Sequence, residues 1–473
     1  SMKSKTSAIL ITGAMLSAAV LPVQADPMLD LLKVLRDKGA ISAQDYNTIA
    51  NAAKAKEEKT LAEKEEIVSM VQEADKKASI VTLSEKGLNF QSVDKAFTAN
   101  IGGRIHTDYV NIDDEFFDRN SGADEFGNAA KFRRARIGME GTMFTDWSYA
   151  LEINYGQDES TEFTDATIGY TGFDNVKLKL GRHKMPSGLE ELTSSNRISM
   201  MERTAATNTF AKGRRNGFTA ETKGSNWTLT GGVYLGEGVS KEDNEGKDTD
   251  YGYGGRFTFA PLHEKTQLVH LGVSYQREEF EKTFDGNELA TNNGRLRARP
   301  GVHFFNDRPV QVRYRNTEYT DTIGLEAATV MGPLSLQGEY FRQDLSREDA
   351  KDADVDGWYA QATYTLTGES RGYRGGKMRT ISPKNRLGMG GYGAWELVAR
   401  YDTLDLFDSS AANELTDSIR GTEIKTLTLG VNWYVNDTIR FMANFVDAEI
   451  DSDHVSNMEG DVKAFMVRGQ VAF

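Results

Sequence analysis

From about Asp94 to its end, the chain alternates apolar and polar residues in one short segment after another. The last segment is typical. Lys463, Phe465, Val467, Gly469, Val471 and Phe473 form one row, and Ala464, Met466, Arg468, Gln470 and Ala472 form the other. A period of two marks a strand with one apolar and one polar face. The pattern predicts sixteen strands, at 96–110, 131–144, 147–156, 163–173, 175–184, 214–223, 226–235, 250–260, 266–278, 321–332, 334–343, 355–366, 392–404, 422–434, 438–448 and 462–473. Almost no helical periodicity separates them, so nothing supplies a second layer over the apolar face. A sheet closed on itself resolves this, with its apolar face to lipid and its polar face to water. The expected fold is an all-β transmembrane barrel of antiparallel strands, many close to the ~10 residues that cross a bilayer at a tilt.

Some connections are short, at Thr145-Asp146, Asp174-Asn175, Gly224-Ser225, Gly332-Pro333 and Asn436-Asp437. Others are long, at 185–213, 279–320 and 367–391. Short turns at one end and long loops at the other are expected, with both barrel termini on the periplasmic side because the strand count is even. The 185–213 loop has Ile198, Met200 and Met201 to bury and runs into Lys212, Arg214 and Arg215. It is expected to fold inward as a constriction. Arg295, Arg297 and Arg299 in the next long loop either enter the pore or face outside.

Upstream the period lengthens. Met28, Leu29, Leu31, Leu32 and Leu35 have helical spacing, and Gly39 stops that helix. Ser42 with Asp45 approximates a capping box for a second helix. Its polar body, with Leu61, Ile67, Val68, Val71, Ala74 and Ala78 as a narrow stripe, fits a short coiled coil or a solvated single helix. Ahead of it, Lys3 and Lys5 precede an apolar run from Ala8 to Leu21 and then Val23-Gln24-Ala25. This is the pattern of a signal peptide cut after Ala25. The expected division is 1–25 signal peptide, 26–93 periplasmic helical segment and linker, and 94–473 barrel.

Composition removes alternatives. A net charge of −14 argues against nucleic acid as a partner. With no cysteine, neither disulfides nor thiolate metal sites are possible. Mean hydropathy is −0.52, which suits strands that are only half apolar; no apolar run reaches the ~18 residues of a membrane helix. His106, His183, His263, His270, His303 and His454 fall in no zinc or hydrolase motif, and Gly-x-Ser-x-Gly and His-Glu-x-x-His do not occur. No enzyme activity, cofactor or metal is expected. A soluble secreted β-protein would leave unpaired edges and is disfavoured.

The apolar parity, once assigned to lipid, defines an inner wall. It places Asn100, Arg104, His106, Asp108, Arg134, Arg136 and Glu140 inside, and Ile105, Tyr109, Ile137, Met139 and Met143 outside. It also turns Lys177, Lys179, Arg215, Arg256, Arg400, Arg440 and Arg468 inward, with Glu152, Asp165, Glu221, Glu326, Glu339, Glu396 and Asp402. The parity is enforced, since Arg or Lys facing mid-bilayer lipid costs about 2–4 kcal/mol. Arg133 and Arg182, near strand ends, are expected to snorkel on the outer side. A wall of both signs has two readings. It is a basic stripe whose guanidinium forks replace the water of a permeating anion, or it is a set of structural ion pairs.

The stretch from Lys179-Leu180-Gly181-Arg182-His183-Lys184 through Met185-Pro186-Ser187-Gly188-Leu189-Glu190-Glu191-Leu192-Thr193-Ser194-Ser195 resembles the phosphate-selective porin O/P family. So do Met201-Glu202-Arg203, Gly213-Arg214-Arg215-Asn216-Gly217, Phe132 to Gly141, Asp146-Trp147-Ser148-Tyr149 and Gly102 to Tyr109. The resemblance implies a sixteen-stranded outer-membrane barrel, usually homotrimeric, often with an N-terminal coiled coil. It implies an anion site built from early-strand arginines and inner-loop lysines, onto which Arg104, Arg133, Arg134, Lys184 and Arg215 map. His183 and Ser187 stand where the family often has Phe. The parity adds Arg136 and Arg256, and the end of the loop adds Lys212 and Arg214. The expected function is passive diffusion of small solutes with a preference for anions such as phosphate. The alternatives are a general diffusion porin, or a tether whose N-terminal helix binds cell wall or a periplasmic partner.

Overall fold

The structure, a computed structural model, describes residues 8–9, 27–77, 79–85, 87–114, 127–155, 161–235, 250–280, 284–285, 288–289, 294–304, 308–413, 415–418, 420–452 and 459–473. Apart from Ala8 and Ile9, the stretch read as a signal peptide lies outside them. The chain divides into two units, 1–83 with 88–99 and 84–87 with 100–473.

In the first unit, helix α1 (Pro27–Asp37) ends where Gly39 adopts φ 70°. The Gly39 N–H donates to Arg36 O and the Ala40 N–H to Leu35 O, both at 2.9 Å. This pairing satisfies the last carbonyls of the helix, and a Cβ would disfavour it. Helix α2 (Ala43–Lys77) is started by Ser42, whose Oγ accepts from the Asp45 N–H at 3.1 Å and donates to the Asp45 carboxylate at 2.6 Å.

The second unit is the barrel. Its strands are β1 (Thr98–Asp114), β2 (Asn128–Met143), β3 (Trp147–Tyr155), β4 (Thr161–Tyr170), β5 (Val176–Lys184), β6 (Arg214–Lys223), β7 (Trp227–Leu235) and β8 (Tyr251–His263). They continue as β9 (Gln267–Glu279), β10 (Thr317–Met331), β11 (Leu334–Arg347), β12 (Ala353–Thr365), β13 (Ala394–Asp405), β14 (Glu423–Tyr434), β15 (Ile439–Asp451) and β16 (Gly460–Ala472). From β2 onward each strand pairs antiparallel with the next. The Ile112 N–H reaches Gly127 O at 3.1 Å, where β1 meets β2. Closure comes from β16 against β1, in register from Val462↔Asp114 to Ala472↔Arg104. Gly103 and Phe473 then exchange both backbone hydrogen bonds, at 2.8 and 3.0 Å. The β16 rows fall as the alternation predicts: Phe465, Val471 and Phe473 are exposed outside, and Ala464, Met466, Arg468 and Gln470 are buried inside.

Three features differ from the sequence reading. The connection 366–393 follows an even-numbered strand, so it lies at the same end as the short turns and not among the opposite loops. Its length suggested a side that strand order overrules. Next, the inside–outside alternation slips once in β2. Phe132 and Ile137, five positions apart, are both exposed outside, so Arg133 and Arg134 both reach the interior. Arg133 therefore does not snorkel outward. Arg182 does stay on the outer side, donating to Phe163 O at 3.0 Å.

Finally, the interior is not polar throughout. Toward the long loops, the inward rows of β11 to β15 become apolar, with Leu345, Val355, Leu404, Ile424, Ala448 and Ile450 buried. Against them pack Phe210 and Leu296 from the loops. Helices α3 (Leu189–Leu192) and α4 (Ala205–Phe210) carry the 185–213 loop. Phe210 is fully buried, with its ring 6.2 Å from Phe341, a contribution of roughly 1.5–3 kcal/mol from that side chain.

Candidate functional site

The 185–213 loop is tied to the barrel wall strand by strand. Glu339 on β11 accepts the Leu189 and Glu190 N–H groups at 2.5 and 2.8 Å. On β13, Asp402 accepts the Ala205 N–H at 3.2 Å and Arg400 donates to Glu202 O at 2.9 Å. Asn432 on β14 donates to Ser199 O at 2.7 Å. On β15, Arg440 donates to Ile198 O at 2.9 Å and Asn444 accepts the Met201 N–H at 2.9 Å. Arg468 on β16 donates to Met201 O at 2.6 Å. Irregular backbone inside a barrel needs partners for its polar groups, and these side chains supply them. Arg400, Arg440 and Arg468, read from sequence as part of a basic stripe, hold the loop.

Below Met201 lies a buried knot of charge. Arg468 grips Asp108 with two hydrogen bonds, at 2.7 and 2.6 Å, and Glu202 with a third at 2.8 Å. Arg133 forks onto Glu202 from the opposite side at 2.8 and 3.0 Å. Burial alone would raise the Glu202 carboxyl, but Arg133, Arg134 and Arg468 hold it well below the usual range.

Arg134 is different. It is buried, and among the described residues no carboxylate lies within ion-pair distance. Its Nη1 is 3.5 Å from His106 Nδ1, and His106 Nε2 is 2.9 Å from Asn196 Oδ1. This network fits a neutral imidazole that donates through Nε2 and offers its Nδ1 lone pair to the guanidinium.

Beside it, three arginines converge on one carboxylate. Arg104 Nη2, Arg136 Nη1 and Arg214 Nη2 lie 2.6, 3.0 and 3.7 Å from Glu152, which also accepts from Thr164 at 2.7 Å. Arg214 forks onto Asp165 at 3.2 and 2.9 Å. Arg104 Nη1 is also 3.4 and 3.3 Å from the Ser194 and Ser195 hydroxyls. Lys184 and Arg203 share Glu191 at 2.9 and 3.1 Å, and Arg203 also ties down the carbonyls of Glu190, Glu191 and Thr193. In this half of the barrel the inner wall stays partly open, with Glu140, Lys177 and Lys179 exposed.

The remaining candidates lie elsewhere. Arg256 forks onto Glu326 with both bonds at 2.6 Å and donates to Gly376 O at 2.8 Å, which pins the 366–393 connection inside the barrel. Lys212 pairs with Glu278. Arg215 is buried near the start of β6 and donates to Arg214 O. Sequence reasoning missed Arg203, Glu202 and Ser194 as site members. All three were in the family-like segments, but their partners are set by loop folding. It also missed Arg371, which donates to Glu396 at 2.5 Å and to Arg197 O at 2.9 Å and so joins the 366–393 connection to the 185–213 loop.

Arg295 and Arg297 lie on a small loop sheet of Arg295–Ala298, Val310–Tyr314 and Thr416–Ser418. Leu296, Ala298, Val310 and Val312 face the apolar core, and Arg295 stands directly opposite Arg313 on the other face.

The phosphate-selective porin O and P family model matches residues 99–473. Porin O of Pseudomonas aeruginosa is 35% identical over 418 residues, covering 84% of this chain and 93% of that protein. An uncharacterized protein of Caulobacter vibrioides is 33% identical over 365 residues, 75% of this chain and 69% of that protein. Among solved structures, the anion-selective porin from Comamonas acidovorans is similar at 14% identity and a TM-score of 0.49, over 80% of this chain and 100% of that one. With a closed sixteen-stranded barrel, a family match over nearly its whole length and a relative aligned along most of both chains, this protein belongs to the phosphate-selective porin O and P family, passive channels of the bacterial outer membrane.

Proposed function

We propose that the channel passes small anions, phosphate among them, in preference to cations. The constriction lies between the 185–213 loop and the inner face of β1 to β6. Arg134 carries this reading. A buried guanidinium with no ion-pair partner of its own is costly even in the field of Glu202, and the seven other cations here (Arg104, Arg133, Arg136, Lys184, Arg203, Arg214 and Arg468) already share only five carboxylates (Asp108, Glu152, Asp165, Glu191 and Glu202). An anion in transit supplies the missing charge. Guanidinium forks and the Ser194 and Ser195 hydroxyls replace its water, and no covalent step is involved. Lys184, Arg203, Lys212, Arg215 and Arg256 shape the surrounding field. Arg295 opposite Arg313 is a like-charge pair that an approaching anion relieves.

The test is a reversal potential across a planar bilayer in a salt gradient, followed by addition of phosphate. Anion-selective reversal with block of chloride current supports the reading. A weak or cation-leaning reversal without block makes the protein a general diffusion porin. In Arg134→Gln, the anion-to-cation permeability ratio is expected to fall about tenfold, since one charge at ~4 Å in a partly wet site is worth roughly 1–4 kcal/mol.

Lys377, on the 366–393 connection, adds a pH dependence. Burial pushes its ammonium down to about 8, against the pull of Glu221. It is charged at neutral pH and loses its proton as pH rises through that value. Anion preference is therefore expected to decline between about pH 7 and about pH 9, and reversal potentials of Lys377→Met should show a smaller step.

We also propose a homotrimer with α1 and α2 in the periplasm. The even strand count puts both barrel termini at one end, and Leu61, Ile67 and Val68 are exposed on α2, open to another helix or a cell-wall partner.

A further inference from the structure

We propose that the outer wall over β12 to β15 is a built seat for a phospholipid of the periplasmic leaflet. The outward side chains there form rows in register. Trp395, Trp433 and Phe441 stand side by side at the short-turn end. Trp395 and Trp433 stack at 5.4 Å, and Trp433 and Phe441 at 5.6 Å. The next row away from that end is Leu397, Val431 and Ala443, and the one after it is Ala399, Leu429 and Phe445. Ala362 pairs with Ala399 on the β12 side. The three alanines leave a trench of about 590 Å³, walled by Tyr364, Phe445 and Phe465.

At the foot of the trench the chain climbs outward over the aromatic row. The Trp433 indole N–H donates to Tyr392 O at 2.8 Å, which holds the chain at Tyr392 against the outside of the wall. Gly388, Gly390 and Gly393, at φ 81°, 83° and 77°, allow this path. The path leaves Met389 77% and Tyr392 82% exposed, with Leu387 beside them.

The trench is continuous with the apolar band that faces lipid in a family of outer-membrane barrels, so its surroundings are acyl chains. The trench is open on its outer side, and an acyl chain laid along the strands gains dispersion contacts with its floor and with the aromatic walls. Stacked Trp rings and an exposed Tyr mark the level of the headgroups. The apolar Leu387 and Met389 then enter the leaflet beside the lipid they retain. A second copy of the chain is the competing occupant. The seat does not depend on which solute the pore passes.

Native mass spectrometry of the detergent-purified porin tests this. Phospholipid retained per chain is expected to fall roughly tenfold in Ala399→Trp/Ala443→Phe, which fills the trench, with conductance unchanged. Equal retention overturns the proposal. The chain has no cysteine, so Ala443→Cys carrying a nitroxide gives a second reading in phosphatidylethanolamine–phosphatidylglycerol vesicles, and it stands if the filled variant does not insert. Collisions with oxygen but not with a nickel chelate support a lipid-filled trench. Shielding from both means that another protein surface covers it, and the proposal fails.

Discussion

Arg468→Gln is expected to free the 185–213 loop from the wall and to raise single-channel conductance while weakening ion selectivity. Arg468 is fully buried and makes bonds to two acids and to the Met201 carbonyl. Glutamine keeps one polar arm but not the charge. Asp108 is then left buried without its ion-pair partner, and Glu202 keeps the fork from Arg133 and the field of Arg134. Breaking one side of a buried pair costs about 3–5 kcal/mol, far more than the pair adds to stability when intact. The structure can avoid that cost by letting water in and the loop out, because the bond to Met201 O is one of those that hold the loop to the wall. Single-channel recording and thermal denaturation read the two consequences. Adding Asp108→Asn to the same chain removes the stranded charge and is expected to recover part of the stability without restoring the narrow pore. If conductance is unchanged in the single variant, the bonds from Arg400, Arg440, Asn432 and Asn444 hold the loop without Arg468, and the knot has another purpose.

The barrel was legible in the chain because a membrane leaves little choice. Each of the sixteen strands was marked by lipid-facing parity, and the β16 rows fall as that parity demands. What the parity could not show is what fills the barrel. The segment 441–446 is apolar on both faces except at Asn444: Phe441, Ala443 and Phe445 point to lipid, while Met442 and Val446 point inward, followed by Ala448 and Ile450 on the inward row. A doubly apolar strand in a barrel signals a packed interior, and that signal was present but unread. The partners of the interior arginines were out of reach for a different reason. Arg400, Arg440 and Arg468 each donate to a loop carbonyl nearly two hundred residues away or more. Backbone acceptors leave no trace in side-chain patterns. Arg133 was misplaced because a single slip in β2 reverses every inward assignment before it.

Glu152→Gln is expected to tighten anion binding, which separates the two readings of the arginine wall most sharply. Glu152 is the carboxylate on which Arg104, Arg136 and Arg214 converge. If those arginines exist to neutralise wall acids, removing the acid leaves three repelling cations, lowers stability and does nothing for permeation. If they serve a permeating anion, Glu152 competes with it, and its loss frees Arg104 and Arg136 while Arg214 keeps Asp165. These side chains remain 11 to 19% exposed, so water softens the repulsion and the cost in stability is expected to stay near 1–2 kcal/mol. One full charge removed at about 3–4 Å in such a site is worth at least ~1 kcal/mol, enough for about a fivefold or greater fall in the phosphate concentration at half-block of chloride current. Unitary phosphate current should fall in the same variant, because a site that binds more tightly releases more slowly. Glutamine keeps the hydrogen bond from Thr164, so the change is confined to charge. Half-block at the same phosphate concentration as the parent, together with a lower melting temperature, assigns the arginines to the wall. Tighter block with slower release assigns them to the ion, and makes Glu152 the group that keeps a strongly basic site weak enough to conduct.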